Sequence, residues 1–157
     1  MNGNRQGVSG EMSESRIDYV LIFKSMPVPA LLLTPEYVII GANNAYEEIS
    51  GRSREELAGK SIFDAFPDNP SEPGCTSTAN LRDSLRRACE NGESDVMALQ
   101  RYDVEVPGSP GEFVERYWCP VNAPIAGPDG SIIMVIHVVE EVSDLIKKFV
   151  DAQAASA

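Results

Sequence analysis

Three segments in the second half of the chain are dense in hydrophobic residues and are separated only by short turns. The segments are 95–106, 112–125 and 131–142, and each is rich in Val, Ile, Tyr or Trp, the residues that favour strands. The intervening stretches, 107–111 and 127–130, consist mostly of Gly and Pro and are too short for a crossover helix. Neighbouring strands must therefore pair antiparallel, which predicts a three-stranded meander.

Two shorter apolar runs in the first half predict further strands. They are 30–33 and 37–40, joined through a turn that Pro35 presets. A helix is predicted before them at 17–24, where apolar residues follow helical spacing and Pro27 stops the helix. Two strands and the meander make five, so we expect an α/β fold with one five-stranded antiparallel sheet.

Capping residues mark helices between the two groups of strands. Asn43 can cap a helix that Gly51 ends, and Ser53 followed by Glu56 predicts a capping box for a second short helix, closed by Gly59. One further apolar helical turn is predicted at Ile62, Phe63 and Phe66. A longer helix is predicted at 80–91, and its apolar face consists of Leu81, Leu85, Ala88 and Cys89.

The meander leads directly into an amphipathic helix, 143–157. Its apolar stripe needs a partner in order to be buried. Either the helix folds back on its own sheet, or it packs along a second copy in a dimer and continues toward an output domain. The stripe consists of Val142, Leu145, Ile146, Phe149 and Val150.

Length and charge narrow the class of protein. With 157 residues the chain can bury one hydrophobic core. Its apolar runs are far shorter than the roughly 20 residues of a membrane span. The net charge of −11 repels nucleic-acid phosphates and anionic membrane surfaces. We therefore expect neither nucleic-acid binding nor membrane insertion.

The N-terminal residues and the cysteines suggest an intracellular setting. Residues 1–15 are mostly Gly, Ser, Asn and Glu, so we expect a disordered lead rather than a signal peptide. Cys75, Cys89 and Cys119 show neither CxxC nor Cys/His spacing, which argues against a disulfide framework and a metal site. A cytoplasmic location is the resulting expectation.

The run 42–60, ANNAYEEISGRSREELAGK, closely resembles the central segment of PAS domains. Asn43, Gly51, Glu56 and Gly59 stand at that family's spacing. The resemblance implies a sheet with short helices on one face, an N-terminal helix and a C-terminal exit helix.

Three later stretches resemble the last hairpin and the exit of the same family: 122–125, 128–130 and 138–142. The resemblance covers about residues 17–145. We therefore expect residues 16–142 to form the sensor domain and residues 143–157 to form the exit helix.

Two segments, 100–103 and 115–120, are similar to a bacterial subgroup that often precedes histidine kinases. For this chain the resemblance implies a small pocket between sheet and helices and a homodimer of two such domains. It also implies an exit helix that carries the signal to a covalently linked output domain.

The resemblance also bears on cofactors. The light-sensing flavin branch of the family uses a cysteine that adds to the ring. Aligning Gly59 with the glycine of that motif puts Ile62 at the cysteine and Val139 at the flavin-binding glutamine. Haem in related domains takes an axial histidine from the long helix, and 80–91 contains none. Flavin-adduct chemistry and haem are therefore disfavoured, and no cofactor is identified.

Strand alternation, combined with this alignment, selects candidate pocket residues. The last strand presents Val135, His137 and Val139 on the inward face. Together with the guanidinium of Arg101 and the indole of Trp118, they predict a pocket for a planar, polar or anionic small molecule. The two neighbouring strands place on that side Met97, Leu99, Arg101, Arg116, Trp118, Pro120 and Asn122. The candidate pocket residues are Phe63, Phe66, Leu85, Leu99, Arg101, Trp118, Asn122, Val135, His137 and Val139.

Plainer interpretations of these residues stay open. His137 and Trp118 also suit an ordinary core. The arginines on the neighbouring strands could form cross-strand ion pairs with Glu115 or Asp103. Both faces of the strands are fairly apolar, so a change of register by one residue would exchange pocket and surface.

The sequence thus predicts a sensory domain of a bacterial signal-transduction protein, most simply a two-component sensor histidine kinase. It would bind a small molecule and pass the signal through the exit helix. The chain lacks a Gly-rich phosphate loop, a GxSxG elbow and an HExxH pair, so we expect no catalysis by the chain itself. The competing interpretation is a ligand-free dimerisation or protein-interaction module.

Overall fold

The computed structural model describes residues 17–156, and the lead predicted at 1–15 lies outside them. The helices are α1 Tyr19–Ser25, α2 Asn44–Ser50, α3 Arg54–Leu57, α4 Ile62–Ala65, α5 Ser77–Asn91 and α6 Ser143–Ala155. The strands are β1 Ala30–Leu33, β2 Ile39–Ala42, β3 Asp95–Val96, β4 Gln100–Arg101, β5 Val104–Glu105, β6 Phe113–Val114, β7 Tyr117–Trp118, β8 Val121–Ala126 and β9 Ile132–Val138.

The main sheet has five strands in the order β2-β1-β9-β8-β3, and all neighbours are antiparallel. Two further pairs, β4 with β7 and β5 with β6, continue the hairpin that β3 and β8 begin. The predicted fold class is confirmed. The first two meander strands are each divided into three short pieces, which the hydrophobic pattern did not indicate.

Asn43 anchors the start of α2 to the sheet. Its Oδ1 accepts hydrogen bonds from the backbone N–H groups of Tyr46 and Ala30, both at 3.0 Å, and its Nδ2 donates to the carbonyl of Val28 at 2.8 Å. The side chain is fully buried. The predicted cap is therefore present, and it also joins the helix to the edge of β1.

Of the other predicted caps, Gly51 and Ser53 are present, whereas one half of the predicted capping box is not. Gly51 ends α2 in the left-handed conformation, with φ of 66°. The Ser53 hydroxyl accepts from the N–H of Glu56 at 3.2 Å, as a capping box requires. The Glu56 carboxylate, however, accepts from Arg52 at 2.8 Å, so the reciprocal half of the box is replaced by an ion pair.

Three elements begin at residues other than those predicted, for local reasons. α1 begins two residues late because Asp18 acts as its N-cap. β2 begins at Ile39 because Tyr37 takes a φ of 70°, which interrupts an extended strand. α5 begins one turn early because the Asp68 carboxylate accepts from the N–H of Thr78 and holds the first turn.

The core lies between one face of the sheet and helices α2 to α5. Leu31, Leu33 and Val135 project from the strands and are fully buried, as are Leu57 and Leu85 from the helices. On the opposite face of the sheet, the described residues leave Val96 74% exposed. Helices α2 to α5 thus cover one face of the sheet, as expected.

Within residues 17–156, none of the helices combines the length and the apolar character that crossing a membrane requires.

Candidate functional site

A small cavity lies against the inner face of the sheet, beneath α2, α4 and α5. Its volume is about 70 Å³. That is room for several waters or a small organic fragment, because one water needs roughly 10–15 Å³. None of the described residues that line it has a charged side chain. They are Tyr46, Ile49, Ser50, Ile62, Phe66, Ser77, Leu81, Met97, Gln100, Tyr102, Val104, Trp118, Pro120, His137 and Val139.

His137 is the most distinctive group in this lining. It projects from β9 and is 3% exposed. Its Nδ1 lies 2.7 Å from Oδ1 of Asn122 on β8, the residue directly opposite in the register. Nδ2 of Asn122 donates to the hydroxyl of Ser84 on α5 at 2.8 Å. The Ser84 hydroxyl in turn donates to Asp95 on β3, so the buried histidine is connected to a surface carboxylate.

Burial determines the charge of this histidine. Desolvation lowers the pKa of His137 from 6.5 to about 4. At neutral pH the imidazole is therefore uncharged and keeps one protonated and one unprotonated nitrogen. The cavity wall then contains no full charge, and its polarity comes from single donor and acceptor atoms.

Tyr102 and Trp118 form the wall on the side of the outer hairpin. The indole N–H of Trp118 donates to the carbonyl of Tyr102 at 2.9 Å, so the indole contributes only its ring surface to the cavity. The hydroxyl of Tyr102 is buried and has no hydrogen-bond partner within residues 17–156. Burial also raises the pKa of Tyr102, which keeps the phenol protonated. An unpaired buried hydroxyl is costly, so this group favours a bound partner.

A wider groove at the surface lies next to the cavity. It lies between the end of α2 and the segment 102–113, and its volume is about 530 Å³. The cavity and the groove share Ser50, Phe66, Tyr102 and Val104 in their linings. These four residues form a wall that the cavity and the groove have in common.

Four of the ten predicted pocket residues line the cavity: Phe66, Trp118, His137 and Val139. Leu85, Asn122 and Val135 are fully buried in the core beside it, where Asn122 orients His137. Phe63 instead packs edge to face on Tyr37 and beneath the guanidinium of Arg82.

Leu99 and Arg101 lie outside the cavity, which corrects their predicted placement. Leu99 is 49% exposed. The Arg101 guanidinium bonds Asp103 at 3.0 Å and contacts Glu72 and Glu115, each at 3.2 Å. The cross-strand ion pair that the sequence left as an alternative is therefore the one that forms, and Arg101 is not available to pair with an anion in the cavity.

The cause is one extra residue in the first meander strand. Val96 pairs with Val121, and Gln100 pairs with Trp118. These two pairs lie four residues apart along the first strand and three residues apart along its partner, as in a β-bulge. Beyond this point the alternation is inverted, because the extra residue shifts every later side chain to the other face. Gln100, Tyr102 and Val104 then face the cavity in place of Leu99, Arg101 and Asp103.

The sequence predictions also missed the contribution of α2. Tyr46, Ile49 and Ser50 line the cavity and lie at i, i+3 and i+4 along that helix. This spacing marks one face of a helix and was visible in the sequence. Tyr46 also packs edge to face on Phe66, with ring centres 5.8 Å apart.

The cavity wall is hydrogen-bonded to the start of α6. The N–H of Tyr117 donates to the Ser143 hydroxyl at 2.9 Å, and the carbonyl of Tyr117 accepts from the N–H of Val142 at 2.8 Å. The N–H of Cys119 donates to the carbonyl of Glu140 at 3.0 Å. Trp118, which lies between these residues, contacts the cavity. One short strand, β7, thus contacts both the cavity and the segment that begins α6.

α6 itself does not fold back on the sheet. No residue within Ser143–Ala155 is buried. In the apolar stripe, Leu145 is 67% exposed and Phe149 is 65% exposed. α1 is similarly uncovered, with Tyr19 67% exposed. Both terminal helices thus present apolar surface that residues 17–156 of one chain do not cover.

The positions aligned with the flavin branch carry apolar side chains that line the cavity, Ile62 and Val139. Among the described residues, no group of three or more His, Cys, Asp or Glu side chains is placed to hold a metal ion.

Comparisons with known proteins agree with this architecture. The chain is similar to the crystal structure of a PAS domain from Colwellia psychrerythraea, with 15% identity and a TM-score of 0.63, over 80% of this chain and 95% of that one. It is similar to a sensory box sensor histidine kinase from Vibrio cholerae, with 22% identity and a TM-score of 0.53, over 84% of this chain and 95% of that one.

A third similar structure is that of VqmA bound to DPO, with 21% identity and a TM-score of 0.53, over 78% of this chain and 56% of that one. VqmA is a protein of Vibrio cholerae. At these identities the structures support the fold alone. No curated protein matches the sequence significantly. The sequence model of the PAS fold family matches residues 23–146, most of the chain, and the protein therefore belongs to that family.

Proposed function

We propose that this chain is the ligand-sensing module of a bacterial signal-transduction protein, most simply a cytoplasmic two-component sensor histidine kinase. A small molecule occupies the cavity, and its binding or loss changes how β7 packs. α6 carries the change to a covalently linked output domain. The observation that carries the proposal is an uncharged cavity with an unpaired buried hydroxyl, one strand away from an uncovered helix.

The coupling follows from the contacts of β7. Trp118 contributes to the cavity wall, while its neighbours Tyr117 and Cys119 bond the segment that begins α6. A ligand shifts an equilibrium only by its differential affinity for the two states. A molecule that packs on the indole changes the position of β7, and the bonds to Val142 and Ser143 transmit that change to the helix.

A second copy of the chain is the proposed partner of the terminal helices. The exposed stripe of α6 follows the i, i+3, i+4, i+7 spacing of helix pairing. A stripe this short is marginal alone, which suits a helix that continues into an output domain.

Two of the structures with a similar fold belong to proteins whose names fit such a role. One is a sensory box sensor histidine kinase, and another is VqmA bound to DPO. A ligand-free interaction module is the second candidate, and the uncovered apolar faces of α1 and α6 favour it. The two candidates differ in whether the cavity is occupied.

The test combines native mass spectrometry with a substitution that fills the cavity. Ile49→Trp places an indole in the cavity from α2, and Glu48→Trp on the exposed side of the same helix is the matched control. We expect a dimer that carries extra mass, which is lost on denaturation and absent from Ile49→Trp. We also expect Ile49→Trp alone to change hydrogen exchange at the amides of Tyr117 and Val142.

A chain without extra mass, in which both tryptophan variants leave the exchange of these amides unchanged, would contradict the sensing proposal and favour the interaction module. Extra mass together with unchanged hydrogen exchange would support ligand binding but refute the coupling of the cavity to α6.

A further inference from the structure

A chain of hydrogen bonds leads from Asp95 through Ser84 and Asn122 to His137, and the donor and the acceptor of each bond can be assigned. It begins at the surface, where the Arg87 guanidinium donates to both oxygens of Asp95 at 2.9 Å. Arg87 and the Ser84 hydroxyl lower the pKa of Asp95, so this carboxylate is ionised and can only accept hydrogen bonds. The single proton of the Ser84 hydroxyl must therefore point toward Asp95.

This choice determines the next two bonds. With its proton used, the Ser84 oxygen can only accept, so it is the NH₂ group of Asn122 that faces it at 2.8 Å. The carbonyl oxygen of Asn122 must then face His137. At 2.7 Å from that oxygen, Nδ1 has to be the protonated nitrogen of the imidazole. Nε2 is left with an unshared electron pair.

The residues around Nε2 restrict the charge, shape and size of a ligand that can bind in the cavity. His137 lines the cavity, and no hydrogen bond within the described part of the chain uses its Nε2. The lining that residues 17–156 form has no cationic side chain to compensate an anion and no carboxylate to compensate a cation, and burying an unpaired charge is costly. The aromatic rings of Tyr46, Phe66 and Trp118 favour a flat molecule, and about 70 Å³ limits its size.

We propose that the cavity binds a small uncharged azole or lactam, which donates an N–H hydrogen bond to Nε2 of His137. Asn122, Ser84 and Asp95 are positioning residues that fix the imidazole tautomer. This inference rests on the proposed ligand-sensing function and specifies the ligand class. It replaces the anionic ligand that the predicted position of Arg101 suggested.

The experiment uses the fact that the chain contains one histidine. Nitrogen-15 NMR of the labelled histidine then reports one pair of ring nitrogens, and their shifts reveal which one is protonated. Pyrazole is the probe, because it is a small uncharged azole that carries an N–H. N-methylpyrazole is the matched control without the donor. Ser84→Ala breaks the chain, and Ser131→Ala in the exposed turn is the control variant.

We expect the free protein to hold its proton on Nδ1 and pyrazole to shift Nε2. N-methylpyrazole should bind roughly tenfold more weakly, because it leaves Nε2 unpaired. Ser84→Ala should show a mixture of tautomers and lose most of this preference, whereas Ser131→Ala keeps both properties.

Three results would overturn the inference: a proton on Nε2 in the free protein, equal affinity for the two probes, or no binding of either probe. All three need only the wild-type chain, so they remain decisive even if Ser84→Ala does not fold. None of the three decides the ligand-sensing function, which native mass spectrometry tests without any probe.

Discussion

Acidification should destabilise this protein over the pH range in which its one histidine would be protonated if exposed. The pKa of His137 is lowered to about 4 by burial, whereas the unfolded chain has the ordinary value of 6.5. Between these values the unfolded state binds more protons than the folded state. The free energy of unfolding is therefore unaffected by this group above pH 6.5 and decreases as the pH falls toward 4.

The magnitude follows from the two pKa values. At about 1.36 kcal/mol per pKa unit, the difference between 6.5 and about 4 corresponds to about 3 kcal/mol. The loss per pH unit approaches about 1.4 kcal/mol in the middle of the range. A small domain has roughly 5–15 kcal/mol of stability in total, so the change is large enough to measure.

Urea unfolding of the wild type and of His137→Leu, from pH 7 to pH 4.5, is the assay. The variant leaves Asn122 Oδ1 without its donor, which costs about 1–3 kcal/mol at pH 7, but it should show a flatter dependence on pH. Asp95 and Asp103 have lowered pKa values, so the stability they contribute is present above their unfolded pKa of 3.8 and is lost below it. That loss falls outside the range and is common to both proteins. Equal slopes for wild type and variant would refute the reasoning.

Two further substitutions test the packing around α2 by urea unfolding at neutral pH. Gly51→Ala should cost about 2 kcal/mol or more, because a Cβ there would lie 2.5 Å from Cγ of Pro107 and φ is 66°. Gly59→Ala, at a φ of 83° with open space, should cost about 1 kcal/mol, and equal losses would exclude the clash as the cause. Asn43→Ala should cost about 3 kcal/mol because it removes three buried hydrogen bonds. Ser53→Ala, which removes only an exposed cap, should cost about 1 kcal/mol, and a similar loss for Asn43→Ala would argue against its link to β1.

The fold could be predicted because local signals and the long-range arrangement agree. The Asn43 and Gly51 caps bound α2 in the structure as they do in the sequence. The turns at 107–111 and 127–130 are too short for any connection but an antiparallel one, which fixed the meander. These features depend on neighbouring residues, and pattern reasoning is strongest there.

The site was harder to predict because it depends on register. The extra residue between Met97 and Gln100 has no marker in the sequence, where Ala98 and Leu99 look like ordinary strand residues. Trp118 and His137 lie where expected because the register between β8 and β9 has no shift across Val121 to Ile125. The fixed tautomer of His137 needs residues from three separate elements, so spacing along one strand could not reveal it.

The extra residue means that the relative number of residues in the two paired strands decides which side chains form the cavity. Deleting Ala98 would remove the extra residue but leave Gln100 opposite Trp118, so Gln100, Tyr102 and Val104 would still face the cavity. Inserting one residue after Cys119 would instead balance the two strands with Ala98 in place, so that Leu99, Arg101 and Asp103 turned inward and Trp118 turned outward. A single insertion would thus exchange an uncharged lining for a charged one without altering any other residue. For this fold, a change of length in the outer hairpin is a shorter evolutionary route to a new ligand than successive substitutions in the cavity.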